Sequence, residues 1–349
     1  MPYSCKTRLF CSSCHQKTNL LWVEHIQEHL LKEVPHRFWT FTIPKLLRPF
    51  FLRNRKLMSL LVQAVNQTIS RAAGNGKITK EQRPGMIILT QSHGDKLNWQ
   101  PHVHAIISDG FFDYRNKNEI IFHPMDSWDI RILKQLFQRT LLTLLVKKEI
   151  ITEGLANNLL SWRHSGFGVH ASESFEVTKT DELIARLSYA HRVPVAVNRV
   201  SYTNNLVYYE TKNGEKLEFH PLDFIAYVTL HIPNHYQNIV RYCGFYASRV
   251  QRLLPKEKES PEVTESKPAL CVWVQLISKV FGEIPIQCPR CKALMKLDRF
   301  VTTGTKIDGV IKALSWIKRA PPRIQFPKFD EVSESIEYNY DEQMSFETI

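Results

Sequence analysis

The sequence of 349 residues lacks any apolar run long enough to cross a membrane. The longest candidates, such as 141–146, fall far short of the ~20 residues that span a bilayer. The first residues, MPYSCKTRLFCSSC, also lack the apolar stretch of a secretory signal. These absences exclude a membrane span and predict a protein that stays in the cytoplasm.

Lysine and arginine are absent from the last twenty positions, 330–349, which hold seven acidic residues. The whole chain carries +12, so residues 1–329 carry +19 once those seven acids are set aside. A body this basic commonly has a polyanionic partner, and no basic amphipathic helix stands out to favour a membrane surface. Nucleic acid is therefore the predicted partner, while a basic enzyme without such a partner remains the alternative.

Cysteine is scarce but clustered: five of the seven lie in two tight groups, namely Cys5, Cys11 and Cys14, and Cys288 and Cys291. Two C-x-x-C pairs occur where chance predicts roughly 0.14, and in a reducing compartment this pattern indicates metal rather than disulfides. Structural zinc needs four ligands. The first group supplies three, and His15 adjoins Cys14 in a poor position for the fourth. Either the distant pairs share one metal or each site is incomplete, and unliganded surface cysteines remain an alternative.

Apolar patterning predicts strands interspersed with helices. Strands are expected at 37–43, 86–90, 101–108, 167–170, 195–200, 206–210 and 216–220. Helices are expected at 46–72, 128–148, 152–162, 181–192, 221–231 and 237–253. Hairpin-like spacings without regular βαβ alternation favour an α+β domain with an antiparallel sheet.

The predicted organisation has one main domain with small appendages. A polar segment with too few apolar residues for its own core comes first, and a charged linker that lacks aromatic residues follows the main domain. A small module with the second cysteine pair and a disordered acidic tail complete the chain. The boundaries are 1–22 for the segment, 36–254 for the main domain, 255–268 for the linker, 269–320 for the module and 321–349 for the tail.

Two histidines, His102 and His104, lie two apart on the predicted strand 101–108. Side chains alternate between the faces of a strand, so both imidazoles point the same way, as two ligands of one metal would. Roughly 0.6 such pairs are expected by chance, so a solvated or hydrogen-bonded strand face is the alternative. On the neighbouring strand of the hairpin, Gln91 is the natural third ligand and His93 its competitor. Two imidazoles and an amide would bind a divalent ion loosely and leave positions open for phosphate and water.

The predicted helix 181–192 contains one tyrosine, Tyr189. At about 100° per residue, Tyr189 shares with Arg186 and Arg192 the face opposite the apolar one. A phenol is a usable nucleophile only when cations or a base favour the phenolate, and cations also attract a phosphodiester. A surface tyrosine on an amphipathic helix is the alternative. Tyr242 and Tyr246 are also four apart like a paired-tyrosine motif, but their surroundings suggest a basic helix near DNA or core packing.

Seven segments along the chain form a common pattern: CKTRLFCSSCHQK, VPHRFWTFTIPKLLRPFF, LNWQPHVHAIISDG, SWRHSGFGVH, RVPVAVNRVSY, HIPNHYQNIVRYCGFYASR and CPRCKALM. In this order they resemble the rolling-circle transposases of the insertion sequence ninety-one family, members of the HUH endonuclease superfamily. The first segment is similar to the second half of that family's amino-terminal zinc-binding domain. The resemblance covers roughly residues 4–318 and leaves out the acidic tail.

The resemblance implies an HUH-type antiparallel sheet flanked by helices, and a mechanism. His102, His104 and Gln91 would hold Mg²⁺ or Mn²⁺ against the scissile phosphate. Tyr189, which aligns with the family's tyrosine just before an Arg-x-Pro stretch, would attack phosphorus. The products would be a 5′-phosphotyrosine and a free 3′-hydroxyl, which can reverse the reaction on another strand.

The resemblance also implies the partners, which are single-stranded DNA at transposon ends and target DNA in a cytoplasmic, nucleoid-associated protein. Arg186 and Arg192 would neutralise phosphate charge, and Trp99 would stack on an unpaired base. Both C-x-x-C pairs, Cys11 with Cys14 and Cys288 with Cys291, are by their spacing similar to zinc knuckles.

The sequence departs from the family pattern at two places. Founding members have two tyrosines four apart, whereas the earlier position here is Ala185, so a single-tyrosine variant is expected. Strand exchange would then reuse Tyr189 or take a second one from a homodimer. The family's upstream cysteine and histidine ligands are not found before Met1, which suggests a truncated zinc-binding domain. The alternative functions are a plasmid relaxase or replication initiator and an inactive DNA-binding remnant. The next candidates for the nucleophile are Tyr202, Tyr242 and Tyr246.

Overall fold

The computed structural model describes residues 9–10, 12–76, 79–125, 127–178, 180–255, 290–291 and 293. The chain divides into two compact units, Met1–Glu262 and Val263–Ile349, and nearly all described residues belong to the first. The predicted module 269–320, apart from three residues, and the predicted acidic tail lie outside the described residues. Most of the predicted linker does too.

The first unit alternates helices with strands. The helices are α1 (Ser12–His25), α2 (Arg48–Arg53), α3 (Met58–Ala72), α4 (Ile130–Lys147), α5 (Glu153–Ser161), α6 (Thr180–Ala190), α7 (Pro221–Leu230) and the short α8 (Ser248–Gln251). The strands are β1 (His36–Thr42), β2 (Gln82–Arg83), β3 (Gly85–His93), β4 (Trp99–Ser108), β5 (Gly110–Asp113), β6 (Ile121–Pro124), β7 (Gly168–Ala171), β8 (Val200–Thr203), β9 (Leu206–Glu210), β10 (Lys216–Phe219) and β11 (Val240–Gly244). None of the helices in this part of the chain is long and apolar enough to cross a membrane.

A five-stranded sheet in the order β11-β3-β4-β1-β7 forms the centre of the unit. Every neighbouring pair of its strands is antiparallel, which confirms the predicted antiparallel α+β architecture. The middle strand β4 places His102 opposite Gln91 of β3 on one side, and His104 opposite Thr40 of β1 on the other. The predicted β3–β4 hairpin is thereby confirmed, with a bulge between Gln91 and His93.

The two faces of this sheet are covered by different helices. Odd-numbered residues of β4, such as Val103 and Ala105, join a core with α3, α4 and α5. Ile106 joins a second core with Leu183 and Leu187 of α6. Since side chains alternate along a strand, His102 and His104 point to the face that α6 covers. The strand period therefore decides which helix meets the histidines.

Side-chain caps mark the starts of several helices. The Asp129 side chain accepts from the backbone N–H groups of Arg131 and Ile132 at the start of α4, and Thr152 accepts from Leu155 at the start of α5. The helix predicted at 46–72 is interrupted after α2, where the Asn54 side chain accepts from the Lys56 N–H and begins a new turn. A cap inside the apolar pattern therefore divides that helix into α2 and α3.

The prediction of a helix at 237–253 is wrong. Val240–Gly244 is instead the edge strand β11, with Tyr242 paired to Ile87, and only the four residues of α8 are α-helical. Gly244 has φ +59°, and a Cβ there would collide with the carbonyl oxygen of Pro84. Pairing with a distant strand thus outweighs the local helical spacing of the apolar residues.

A small sheet of β8, β9 and β10 follows α6, and Val228 of α7 packs against its buried Tyr209. Asn204 and Asn205 take the left-handed conformation, with φ 51° and 59°, that a tight hairpin turn requires. The predicted hairpin across these residues is confirmed, although β8 begins only at Val200. The loop from β9 to β10 carries Lys212 toward α6.

Candidate active site

His102 and His104 form a buried pair whose Nε2 atoms lie 3.2 Å apart. The His102 Nδ1–H donates to the Gln100 carbonyl oxygen at 2.7 Å, so Nε2 of the neutral ring presents a lone pair. The His104 Nδ1 lies 3.1 Å from the Thr40 hydroxyl, which can donate or accept. Outer hydrogen bonds of this kind orient metal-ligating imidazoles. The predicted shared face of the two histidines is confirmed.

The environment keeps both imidazoles neutral. Burial, together with the nearby Arg192 and Arg48, lowers the pKa of His102 to about 4. Burial lowers the pKa of His104 to about 3, with contributions from His102, Arg192 and Lys212. A metal ligand must be the unprotonated imidazole, which is therefore the form present at pH 7.

Gln91 adds a buried oxygen beside this pair. Its Nε2 donates to the carbonyl oxygens of Ala190 at 2.5 Å and Tyr189 at 3.4 Å, at the end of α6. Its Oε1 is buried and has no hydrogen-bond partner. An unsatisfied buried acceptor costs about 1–3 kcal/mol. A cation beside this oxygen would satisfy it, so two neutral imidazoles and this amide suit a divalent metal ion.

His93, the competing third ligand, is also buried, and neither of its ring nitrogens has a hydrogen-bond partner. Its ring packs edge-on against His231 at 5.7 Å, and burial keeps its pKa well below the usual value. Across the described residues, no three His, Cys, Asp or Glu side chains are grouped to hold a metal. His93 is therefore not grouped with His102 and His104 in this way, and Gln91 stays the predicted third ligand.

Tyr189 lies at the end of α6 and faces the histidine pair. Leu183 and Leu187 are fully buried, whereas Tyr189 is 44% exposed, which confirms the predicted faces of the helix. The Tyr189 ring stands edge-on to His104, with 5.6 Å between ring centroids, and packs on Phe38 at 6.2 Å. The structure therefore brings together the phenol and the two imidazoles that the sequence placed on separate elements.

Two cations lie over the Tyr189 ring. The Arg192 guanidinium carbon and the Lys212 Nζ are each 4.7 Å from the ring centroid. The Lys212 Nζ is also 3.5 Å from the Tyr189 hydroxyl. Arg186 instead lies over Phe175 at 4.9 Å, so only one of the two predicted arginines packs on Tyr189.

The predicted role of Trp99 as a base-stacking residue is wrong. Trp99 is only 4% exposed and stacks on His231, with Arg55 on its ring. Its position has the same parity as Val103, so its side chain belongs to the core on the other face of the sheet from the histidines. A buried indole offers no face to an unpaired base.

Three contributors to the site were not predicted: Thr40, Arg48 and Lys212. The backbone N–H of Lys212 donates to the Asp95 carboxylate at 2.9 Å, which connects the β9–β10 loop to the β3–β4 hairpin. Nothing in the sequence near Lys212 indicates this contact with a residue 117 positions away. Strand pairing could have indicated Thr40, because it lies opposite His104.

The other tyrosines lie in different surroundings. Tyr246 is 1% exposed, and its hydroxyl donates at 2.8 Å to His36 Nε2 on the sheet. The Tyr242 hydroxyl accepts from the Trp22 indole at 3.0 Å, and burial raises its pKa. Tyr202 is exposed on β8 and bonds Asn205.

The amino-terminal helix α1 packs on the end of α6. The His15 Nε2–H donates to the His191 carbonyl oxygen, and the His191 ring bonds the Asn19 side chain at 3.1 Å. Cys5, Cys11 and Cys288 lie outside the described residues, and Cys291 is exposed with a free thiol. The predicted zinc ligands therefore stay predictions.

Two protein families match the chain. Residues 85–253 match the family described as "Putative transposase", and residues 1–43 match the family described as "Transposase zinc-binding domain". The chain is similar to transposases in both segments. The resemblance seen in the sequence is thereby confirmed. The match of the first 43 residues implies that this segment binds zinc.

Curated relatives of the transposase span most of its length. The transposase for insertion sequence element IS801 of Pseudomonas savastanoi pv. phaseolicola is 25% identical over 319 residues, 86% of this chain and 76% of the relative. The "Putative transposase y4qJ" of Sinorhizobium fredii (strain NBRC 101917 / NGR234) is 23% identical over 319 residues, 82% and 78% of the two chains. No solved structure matches the transposase significantly.

Proposed function

We propose that this transposase nicks single-stranded DNA by attack of Tyr189 beside a divalent ion held by His102, His104 and Gln91. The observation that carries the proposal is the Tyr189 ring at 5.6 Å from His104, with the hydroxyl within reach of Lys212. The five-stranded antiparallel sheet with both histidines on its middle strand supports an HUH-type fold. The matches to transposase families and to curated transposases favour transposition over plasmid transfer or replication.

The chain's own residues have distinct tasks in this reaction. When bound, Mg²⁺ or Mn²⁺ would polarise the scissile phosphate. Lys212 offsets negative charge that develops on the Tyr189 oxygen, and Arg192 adds positive charge on the ring. The Tyr189 oxygen forms a bond to phosphorus as the bond to the 3′-oxygen breaks. The phenol loses its proton, the 3′-oxygen gains one, and the 5′-phosphotyrosine conserves the phosphodiester for transfer to another strand.

The partners follow from this chemistry. Single-stranded DNA at the transposon ends and target DNA would meet Tyr189, in the cytoplasm and at the nucleoid. A homodimer would supply a second Tyr189 for strand exchange. Zinc held by Cys5, Cys11 and Cys14, and by Cys288 and Cys291, would stabilise the regions around these cysteines rather than take part in cleavage.

The test is a denaturing gel of the full-length protein with labelled single-stranded DNA from the ends of its own element, with Mn²⁺ or with chelator. A metal-dependent covalent adduct that maps to Tyr189 is expected. His102→Ala and His104→Ala should bind the same DNA without forming the adduct. Binding without any adduct from the unaltered protein would instead identify an inactive DNA-binding remnant.

A further inference from the structure

A long groove runs between α4 and α5 on the far side of the sheet from Tyr189. It has a volume of about 960 Å³ and is lined by both helices and by the segment after α5. Both helices belong to the core on the face opposite the histidine pair. The groove, hereafter the α4–α5 groove, is therefore separate from the site that holds Tyr189.

Positive charge dominates this groove. Five exposed cations line it, against one carboxylate, Glu153; the cations are Arg131, Lys134, Arg139, Lys147 and Arg163. Among the described residues none of the five forms an ion pair. Cations without carboxylate partners attract an anionic polymer.

The pattern of α4 explains how the charges are aligned. Positions 131, 134, 135, 138, 139, 142, 143, 146 and 147 follow the helical repeat and line the groove together. The first and last of these positions are sixteen apart, a rise of about 24 Å at ~1.5 Å per residue. That length matches several nucleotides of a strand, whose phosphates would meet one cation after another.

An exposed aromatic side chain stands at the rim of the groove. Trp162 is 41% exposed, and its indole N–H donates to the Asn158 side chain at 3.0 Å, one turn earlier. That hydrogen bond holds the ring while leaving part of it open to solvent. Proteins that bind single strands combine a basic groove with aromatic faces on which unpaired bases stack.

We propose that the α4–α5 groove is a second binding site for single-stranded DNA, with Trp162 stacking on a base and the cations contacting phosphates. Duplex DNA has no free base face for Trp162, so the exposed ring favours the single strand. The proposal rests on the proposed function only in that the bound strand belongs to the transposase's own DNA. It assigns no part of cleavage to the groove.

The test compares two charge-matched double variants of the full-length protein. Lys134→Gln with Arg139→Gln removes two groove cations, and Lys80→Gln with Lys117→Gln removes two exposed cations that do not line the groove. Fluorescence anisotropy measures binding of a single-stranded oligonucleotide across a salt series, in the presence of chelator. The slope of log K against log salt should become shallower by about 1.4 in the groove variant, since each lost phosphate contact removes about 0.7. The control variant should keep the original slope.

Stacking is tested separately. Trp162→Ala should weaken single-strand binding by about 5- to 140-fold, since a stacked base contributes ~1–3 kcal/mol, while Trp162→Phe should retain most of it. Unchanged slope and affinity in the groove variants would overturn the proposal. Losses that appear only with duplex DNA would also overturn it, because the occupant would then be paired.

Adduct formation separates this proposal from the proposed function. A short oligonucleotide that spans only the cleavage site, used at saturation, should give the same adduct yield with groove variants as with unaltered protein. Tyr189→Phe should lose the adduct yet keep the groove-dependent salt slope. Absence of adducts in every protein would refute the tyrosine chemistry and leave the binding result to decide on the groove.

Discussion

Removing one hydroxyl group at a time from two tyrosines should separate the nucleophile from a structural residue. Tyr189→Phe removes the exposed hydroxyl beside Lys212, and Tyr246→Phe removes a buried one. Both substitutions keep the ring, so packing is nearly unchanged. The expected effects on stability and on chemistry are opposite.

The magnitude for Tyr246 follows from its hydrogen bonds. The His36 Nδ1–H donates to the Val34 carbonyl oxygen at 2.7 Å, so the neutral ring presents an Nε2 lone pair to the Tyr246 hydroxyl. Without that hydroxyl, a fully buried acceptor has no partner, which costs about 1–3 kcal/mol. Tyr189→Phe loses only a 3.5 Å contact at the surface and should change the free energy of unfolding by less than about 0.5 kcal/mol.

Urea denaturation gives the stability of each variant, and the denaturing gel with Mn²⁺ gives its adduct yield. Tyr246→Phe should unfold at lower urea concentration but still form the adduct at a concentration where it is folded. Tyr189→Phe should be as stable as the unaltered protein and form none. A stable Tyr189→Phe protein that still forms the adduct would refute the assignment, as would loss of the adduct in folded Tyr246→Phe.

Four further outcomes follow from the same contacts. Lys212→Ala should slow adduct formation about 10-fold or more with DNA affinity nearly unchanged, measured in single-turnover assays, because a charge beside the phenol oxygen is lost; an unchanged rate would exclude that role. Gln91→Ala should raise the dissociation constant for Mn²⁺ at least about tenfold by calorimetric titration, and unaltered affinity would remove Gln91 from the ligand set. Trp99→Ala should lower the free energy of unfolding by about 3–5 kcal/mol, since a buried indole leaves a cavity, whereas a DNA-contact role predicts lost affinity in a stable protein. Burial lowers the pKa of His36 to about 4 from 6.5, so the unfolded chain takes up the proton first as pH falls. The contribution of His36 to the free energy of unfolding is therefore present above pH 6.5 and lost toward pH 4, by about 2 kcal/mol between pH 7 and 5. Equal urea midpoints at pH 7 and 5 would contradict it.

The strands that hold the histidines were predictable because their signals are local. A run of β-branched and aromatic residues marks β1, the segment MIILT marks β3, and the period of two puts His102 and His104 on one face whatever surrounds β4. Apolar spacing likewise predicts α4 and α5 to within two residues. The same reasoning failed for β11, because its apolar spacing is also compatible with a helix and only the free edge of β3 decides between them.

Residue identity was a weaker guide where parity or long-range contact decides the role. The family resemblance implied that Trp99 stacks on a DNA base, yet its odd position on β4 directs its side chain into the core on the opposite face of the sheet. Arg186 and Arg192 share one face of α6, but only Arg192 packs on the Tyr189 ring.

The sequence by itself determined the similarity to transposases, the antiparallel α+β class, the shared face of the two histidines and the outward side of Tyr189. Each of these depends on order or periodicity within a short stretch of chain. Only the tertiary structure decided that α6 lies over the histidines, that Gln91 bonds the end of that helix, and that Lys212 reaches the Tyr189 hydroxyl. These contacts join residues 23 and 99 positions apart, and their free energy depends on how whole elements pack.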